Sequence, residues 1–271
     1  MKQYIVGVAV VLGLTACGVS TQQEVDMGQQ YSAQINQQLP IIQDPEINRY
    51  LTVLGDSIAR LTSRTDLTQA NAWRFYMVDS KEVNAFAVPG GFIYVNRGLI
   101  ERTTRMDQLA GVLGHEIGHV VRRHSIKQMQ EQQGANVGLT LACVLTGVCN
   151  SQVAGAVVQV GGTALFARFS RTDEAEADEE GVRNTVRAGI SPLGMPEMFQ
   201  ILLNERTSNP SAVEGWFATH PMEEDRIAAT RALIATYDPA IIRSLPTDSR
   251  NYQAFRARVH SLPPSPTPRQ Q

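Results

Sequence analysis

Apolar residues fall along this chain in three successive patterns. One uninterrupted block, Ile5 to Leu14, comes first. A polar, Gln-rich stretch over residues 18–43 follows and becomes helical in spacing, which predicts a tether running into a peripheral helix. From residue 44 the pattern is that of amphipathic elements. Asp44-Pro45 reads as a side-chain cap with proline at the first helical position, and Ile47, Tyr50, Leu51, Leu54, Ile58 and Leu61 then recur at helical spacing. Trp73 to Val78 reads as a strand. Asn84–Val88 and Phe92–Val95 read as two more, around a Pro89-Gly90-Gly91 turn. Thr104-x-x-Asp107 has the form of a capping box with Asp in place of Glu or Gln. The helix it opens is predicted to continue to about Gln130. Its apolar residues Leu109, Val112, Leu113, Ile117, Val120 and Val121 cover most of the circumference, so it is largely buried.

These elements predict an α+β fold, mainly helical, with a small sheet beside that helix. The domain spans 44–240. Residues 241–271 form a C-terminal extension, and four prolines from Leu262 onward predict a disordered tail. Residues 134–167 are rich in Gly, Ala and Val but are interrupted by Asn150-Ser151-Gln152 and by Gln159. Neither half reaches the length of a membrane span, so two packed helices joined by a turn are expected. Cys143 and Cys149 lie in this stretch. Their separation permits a disulfide across a turn near Gly147 and Asn150, not along a straight helix.

The chain has 271 residues, 43% hydrophobic and 18% charged, with a formal net charge of -2 and no basic stripe. Nucleic acid is therefore not an expected partner. Lys2 before the apolar block makes residues 1–16 a signal peptide. It ends in Leu14-Thr15-Ala16-Cys17, which resembles a bacterial lipobox, with Cys17 as the lipidated residue of a tether over 17–43. Such an anchor holds the chain on a membrane. Gly18 after the cysteine resembles an outer-membrane address, which predicts a bacterial envelope protein facing the periplasm.

His115-Glu116-Ile117-Gly118-His119 is an H-E-x-x-H motif on the buried helix. Residues four apart share a helical face, so His115 and His119 can reach one metal ion. Zinc suits imidazole and keeps an open position in catalytic sites. Glu116 is placed to take a proton from a water at such a metal. For a third ligand, Arg122 and Ser125 stand where a metzincin has Gly and His, which excludes that arrangement. His124 is one residue out of register and is expected to be solvated or capping. The acidic run Asp173 to Glu180 divides on a helical wheel. Asp173, Glu176, Glu179, Glu180, Arg183 and Arg187 share an outward face, with Glu179 and Arg183 as an i,i+4 pair. Glu174 and Asp178 fall on the other side, with Ala175, Val182, Thr185 and Val186. Glu174 is thus the candidate third ligand, and Asp178 the candidate acceptor for the ring N–H of a ligand histidine.

These residues, together with Asn84-Ala85-Phe86-Ala87, Gly90-Gly91, Ser170-Arg171, Thr219-His220-Pro221 and Arg226, resemble the HtpX-like and CAAX-prenyl-protease-type gluzincin metallopeptidases. The likeness runs over roughly 45–236 and is nearest to the soluble, signal-peptide-bearing periplasmic branch. It implies a zincin-like domain with His115, His119 and Glu174 as ligands of Zn2+, Glu116 as base and Asp178 behind a ligand. It further implies that Asn84, Ala85, Phe86 and Ala87 form an edge strand that pairs with extended substrate. The expected activity is zinc-dependent endopeptidase action on misfolded or unassembled envelope proteins. The alternative is a zinc-stabilised periplasmic chaperone or assembly factor with little proteolysis. For His220 three roles stand open: a helix-entry histidine bonded to backbone, a fourth ligand holding the enzyme latent, or an oxyanion donor.

Overall fold

The computed structural model describes residues 19–135, 168–221 and 224–266. The signal segment, Cys17, Cys143, Cys149 and most of the 134–167 stretch lie outside the described residues. Helices α1 (Thr21–Gln38), α2 (Pro45–Ala59) and α3 (Thr65–Gln69) precede strands β1 (Arg74–Val78), β2 (Ala85–Val88) and β3 (Phe92–Asn96). Helices α4 (Arg97–Arg102), α5 (Met106–Val121) and α6 (His124–Ala135) follow. After the undescribed segment come α7 (Arg171–Arg187), α8 (Gly194–Ser208), α9 (Pro210–Thr219), α10 (Glu224–Ile234), α11 (Pro239–Ser244) and α12 (Arg250–His260). Mainly helical with a three-stranded sheet, this matches the fold expected from the apolar pattern.

The strand order is β1-β3-β2, with β1 parallel to β3 and β2 antiparallel to it. Gly90 and Gly91, at φ of 80° and 95°, make the β2–β3 turn, a conformation that side chains disfavour. Period-two alternation sends Phe75, Met77, Ala85, Ala87, Ile93 and Val95 into the main core with α2 and α5. Tyr76, Val78, Phe86, Val88, Phe92 and Tyr94 form the other face, against Met27, Tyr31 and Ile35 of α1. The register places Tyr76, Tyr94 and Phe86 side by side, and their rings stack at 4.9 and 4.8 Å. The sheet is therefore covered on both faces, one of them by α1, a helix within the 18–43 stretch expected to run from tether into helix. Glu24 of α1 is buried, 3.1 Å from Arg64 and 3.0 Å from Arg123.

Two helix limits differ from those expected. The α5 helix begins at Met106, and the group that closes its start is Gln108, whose Oε1 accepts from the Thr104 amide at 2.8 Å. Asp107 instead pairs with Arg105 at 3.1 Å. At the other end the helix stops at Val121, because Arg123 takes a left-handed φ of 57° and the chain restarts as α6. The extension carries α12, and of the tail expected to be disordered only 262–266 are described, 267–271 lying outside the described residues. Tyr252, Phe255 and Val259 of α12 join the main core. Residues 262–265 are held by Arg97, which donates to the Leu262 carbonyl at 3.2 Å, and by Ser265, which donates to Asp79 at 2.7 Å.

The contact that positions the site is between α5 and α7. A Cβ added at Gly118 would lie 2.6 Å from the Ala177 carbonyl oxygen, and one at Gly114 would lie 3.1 Å from the Gly181 Cα. At Gly118 the added Cβ would meet only backbone, whereas at Gly114 the Thr185 hydroxyl also comes within 2.9 Å. On helix propensity alone Gly118→Ala should stabilise by about 1 kcal/mol. The contact reverses the sign: we expect a loss of about 1–3 kcal/mol from overpacking, read as a lowered midpoint in a denaturant melt. An unchanged or raised midpoint would contradict the close approach.

Candidate metal centre

Helix α5 supplies His115, Glu116 and His119, and α7 supplies Glu174 and Asp178. Ser170 caps α7 by accepting from the Asp173 amide at 3.1 Å, which fixes the first turn that carries Glu174. His220 ends α9 in an extended conformation, φ -112° and ψ 97°, as the residue before Pro221 should. The Phe169 amide donates to the Thr219 carbonyl at 3.0 Å, so the start of α7 and the His220 loop are tied together.

These elements bring one ligand atom each from His115, His119, Glu174 and His220 within 4.8 Å of one another. All four are buried. His115 Nε2 lies 3.0 Å from His119 Nε2 and 3.3 Å from His220 Nδ1. Glu174 Oε1 lies 3.3 Å from His119 Nε2 and 3.1 Å from His220 Nδ1. Lone-pair atoms packed this closely without a shared cation would repel or need protons between them. A metal ion resolves that conflict, and an N3O donor set suits zinc.

Asp178 stands behind the set, its Oδ1 2.8 Å from His115 Nδ1. Arg226 of α10 locks it with two bonds, at 2.9 and 2.8 Å, and also donates to Glu174. The guanidinium lies over the Phe199 ring, 4.5 Å from its centroid. Arg226 thus holds both inward carboxylates of α7, a role its place in the sequence did not disclose. Phe169 stacks on His119 at 4.0 Å and Trp216 on His220 at 4.6 Å; neither was singled out from the sequence.

Glu116 is buried, and neither of its carboxylate oxygens bonds to any described residue. Its Oε1 lies 3.6 Å from His220 Nε2. Burial pushes its carboxyl above the usual range. Burial also pushes His119 well below the usual imidazole value, which keeps its lone pair free. Glu174 is opposed by burial too, but the charge of His220 and His115 and the bond from His119 outweigh it, and its carboxyl is held well down. A neutral imidazole beside an ionised carboxylate is the form a metal takes.

Three expectations are corrected. His124 is neither solvated nor a cap: it is fully buried, its Nδ1 2.9 Å from His119 Nδ1. The break at Arg123 folds it back onto α5, which continuous helical geometry forbids. Glu180 does not sit on a solvated face, and Glu176 is only partly exposed. Glu176 lies 3.2 Å from His124 Nε2, and buried Glu180 pairs with Arg122 at 2.9 Å. Ala175, placed inward by the wheel, is exposed. Asn84 is buried beside the first residue of β2, and β2 lies at the edge of the sheet and packs on α5.

With this geometry in hand, the comparisons with known proteins are specific. The model of peptidase family M48 matches residues 48–234. The chain belongs to this family. It is 31% identical over 252 residues to the beta-barrel assembly-enhancing protease of Escherichia coli K12, covering 89% of this chain and 49% of that protein. It is 32% identical over 154 residues to the metalloprotease LoiP of the same strain, covering 57% of this chain and 59% of LoiP. It is 30% identical over 182 residues to the mitochondrial metalloendopeptidase OMA1 of Danio rerio, covering 62% and 37%. The chain spans about half the length of the beta-barrel assembly-enhancing proteases it matches. M48 metalloproteases use zinc, and the buried His115, His119, Glu174 and His220 group is fit to bind it. No helix among the described residues is long and apolar enough to cross a membrane.

Glu174→Ala should abolish tight zinc binding in a chelator competition. Asp178→Asn should weaken it by about 10–100-fold, the usual cost of removing a partner of a ligand histidine. Wild-type affinity in the Glu174 variant would remove it from the ligand set.

Proposed function

We propose that the chain is a zinc-dependent endopeptidase of the bacterial envelope, acting on misfolded or unassembled envelope proteins. The observation that carries this is Glu116. It is buried one position from a ligand histidine, with both oxygens free of bonds to described residues. A purely structural site has no use for an ionisable group there. The metalloprotease and metalloendopeptidase names of relatives agree with the reading.

In this proposal His115, His119 and Glu174 hold zinc, which when bound supplies Lewis acidity towards the scissile carbonyl and an attacking water. Glu116 accepts the proton of the attacking water and returns it to the leaving amine. Asp178 accepts from His115 Nδ1 and so keeps Nε2 turned inward. Residues Asn84, Ala85, Phe86 and Ala87, at the edge-strand side of the sheet beside α5, align an extended substrate by strand addition. Cys17 carries the lipid that anchors the chain at the outer membrane, facing the periplasm.

One observation favours the second reading, a zinc-stabilised chaperone or assembly factor. His220 turns Nδ1 toward the ligand set, which makes a set of four protein groups. Closed four-ligand sites are structural by habit. The same geometry in an enzyme describes a removable fourth ligand that keeps the centre latent, and we adopt that role for His220.

Digestion of denatured casein separates these readings. Glu116→Gln should keep zinc and lose proteolysis; equal hydrolysis by this variant would refute the assignment. His220→Ala should raise basal proteolysis with zinc retained. A fall on the order of 10²–10³ would instead make His220 an oxyanion donor, and no activity in any form would leave the chaperone reading. For the anchor, Cys17→Ser should abolish lipid labelling and move the protein out of the membrane fraction. Unchanged sedimentation would assign attachment to another segment.

A further inference from the structure

His119 faces two ways. Its Nε2 lies within the ligand set, 3.0 Å from His115 Nε2 and 3.3 Å from Glu174 Oε1. Its Nδ1 lies 2.9 Å from His124 Nδ1. His124 in turn places Nε2 3.2 Å from Glu176 Oε2 and 3.5 Å from Asp173 Oδ1. His115 has a carboxylate behind it; His119 has a second imidazole, with a carboxylate behind that.

Counting protons fixes how this chain must be arranged. If His119 Nε2 gives its lone pair to a cation, the proton of the neutral ring sits on Nδ1. That N–H is in a buried ring, 1% exposed, and needs an acceptor. His124 Nδ1 accepts only when it carries no proton itself. The proton of a neutral His124 is then on Nε2, where Glu176 accepts it. Each donor meets an acceptor, in one direction only. The opposite arrangement puts a proton on His119 Nε2, inside the ligand set, where it competes with the metal.

We propose that His124, backed by Glu176, is a positioning residue of the metal centre: it holds His119 with the proton on Nδ1 and Nε2 presented to zinc. The inference rests on His119 being a zinc ligand. It also gives a physical reason for the break after α5. His124 follows His119 by five residues, which on a continuous helix would point it well away. The left-handed φ of 57° at Arg123 turns the chain so that the ring returns behind its neighbour. A strained non-glycine residue at that point costs free energy, and the paired imidazoles offset it. Lys127, 3.6 Å from Glu176, further fixes the carboxylate at the solvent end.

The test uses the full chain and zinc itself. His124→Leu keeps bulk but offers no acceptor, and His124→Asn puts an oxygen near the lost Nδ1. Zinc affinity, measured by competition with a chelating dye, should fall by about tenfold or more in the Leu variant and stay close to wild type in the Asn variant. Nitrogen-15 spectra of the histidine rings in the metal-free protein should show His119 protonated on Nδ1 in wild type and Asn, and mixed in Leu. Equal losses in Leu and Asn would reduce His124 to packing and overturn the proposal, as would full affinity in Leu. If the Leu variant does not fold, as judged by its melting curve, Glu176 decides. Glu176→Ala should weaken zinc binding and Glu176→Gln, which keeps an acceptor, should not; no loss in either overturns it. His119→Ala in the same titration separates the two levels of failure. Wild-type affinity there refutes the ligand assignment, whereas wild-type affinity in His124→Leu alone refutes only the positioning role.

Discussion

The direct contact of α5 and α7 is the constraint on which the rest depends. The ligand set draws from both helices, so it exists only if their backbones approach to touching distance. Gly114 and Gly118 on one side and Ala177 and Gly181 on the other permit that approach. The approach has a cost: a glycine in mid-helix weakens the helix taken alone by about 1 kcal/mol, whereas Ala177 does not. What compensates is burial. Every residue of α5 is buried, and the helix has the sheet, α2, α7 and α8 around it. The centre is therefore built into the middle of the core, and its geometry is that of packed helices rather than of a loop.

Placing that many ionisable groups in a core creates the second requirement. Glu116, Glu174, Asp178, His115, His119, His124 and His220 are all buried, and Arg226 is nearly so. Each needs a partner of complementary charge or hydrogen-bonding sense. Arg226 meets it for the two carboxylates of α7, Asp178 for His115, and His124 for His119. What remains are the inward nitrogens, one inward carboxylate oxygen and the Glu116 oxygens, unbonded among the described residues, which is the composition of a hydrolytic metal centre.

Much of this was legible in the chain. The cap and proline at Asp44-Pro45, the period-two strands around Pro89-Gly90-Gly91 and the apolar circumference of α5 follow local rules, and the elements stand near the expected limits. The helical wheel turned Glu174 and Asp178 inward, and both are buried, because seventeen residues of regular helix obey one period. Legibility failed where tertiary contacts decide. A single left-handed residue at Arg123 cannot be read from periodicity, and without it the spacing puts His124 on the surface. Glu176 and Glu180 look solvated on an isolated wheel, but α6 and the end of α5 lie against that face through His124, Lys127 and Arg122. The grip of Arg226 on α7 spans about fifty positions, and no local pattern encodes it. Composition likewise does not reveal that Arg97 binds the Leu262 carbonyl at the start of the Pro-rich tail.

The central claim is that one zinc is held between α5 and α7 by histidine and glutamate side chains. X-ray absorption at the zinc edge of the purified full chain tests it without reference to any activity. The account predicts nitrogen and oxygen neighbours at about 2.0–2.1 Å, with the outer-shell scattering of at least two imidazoles and no sulfur. A zinc–sulfur shell at about 2.3 Å, or a spectrum with fewer than two imidazoles, would contradict it.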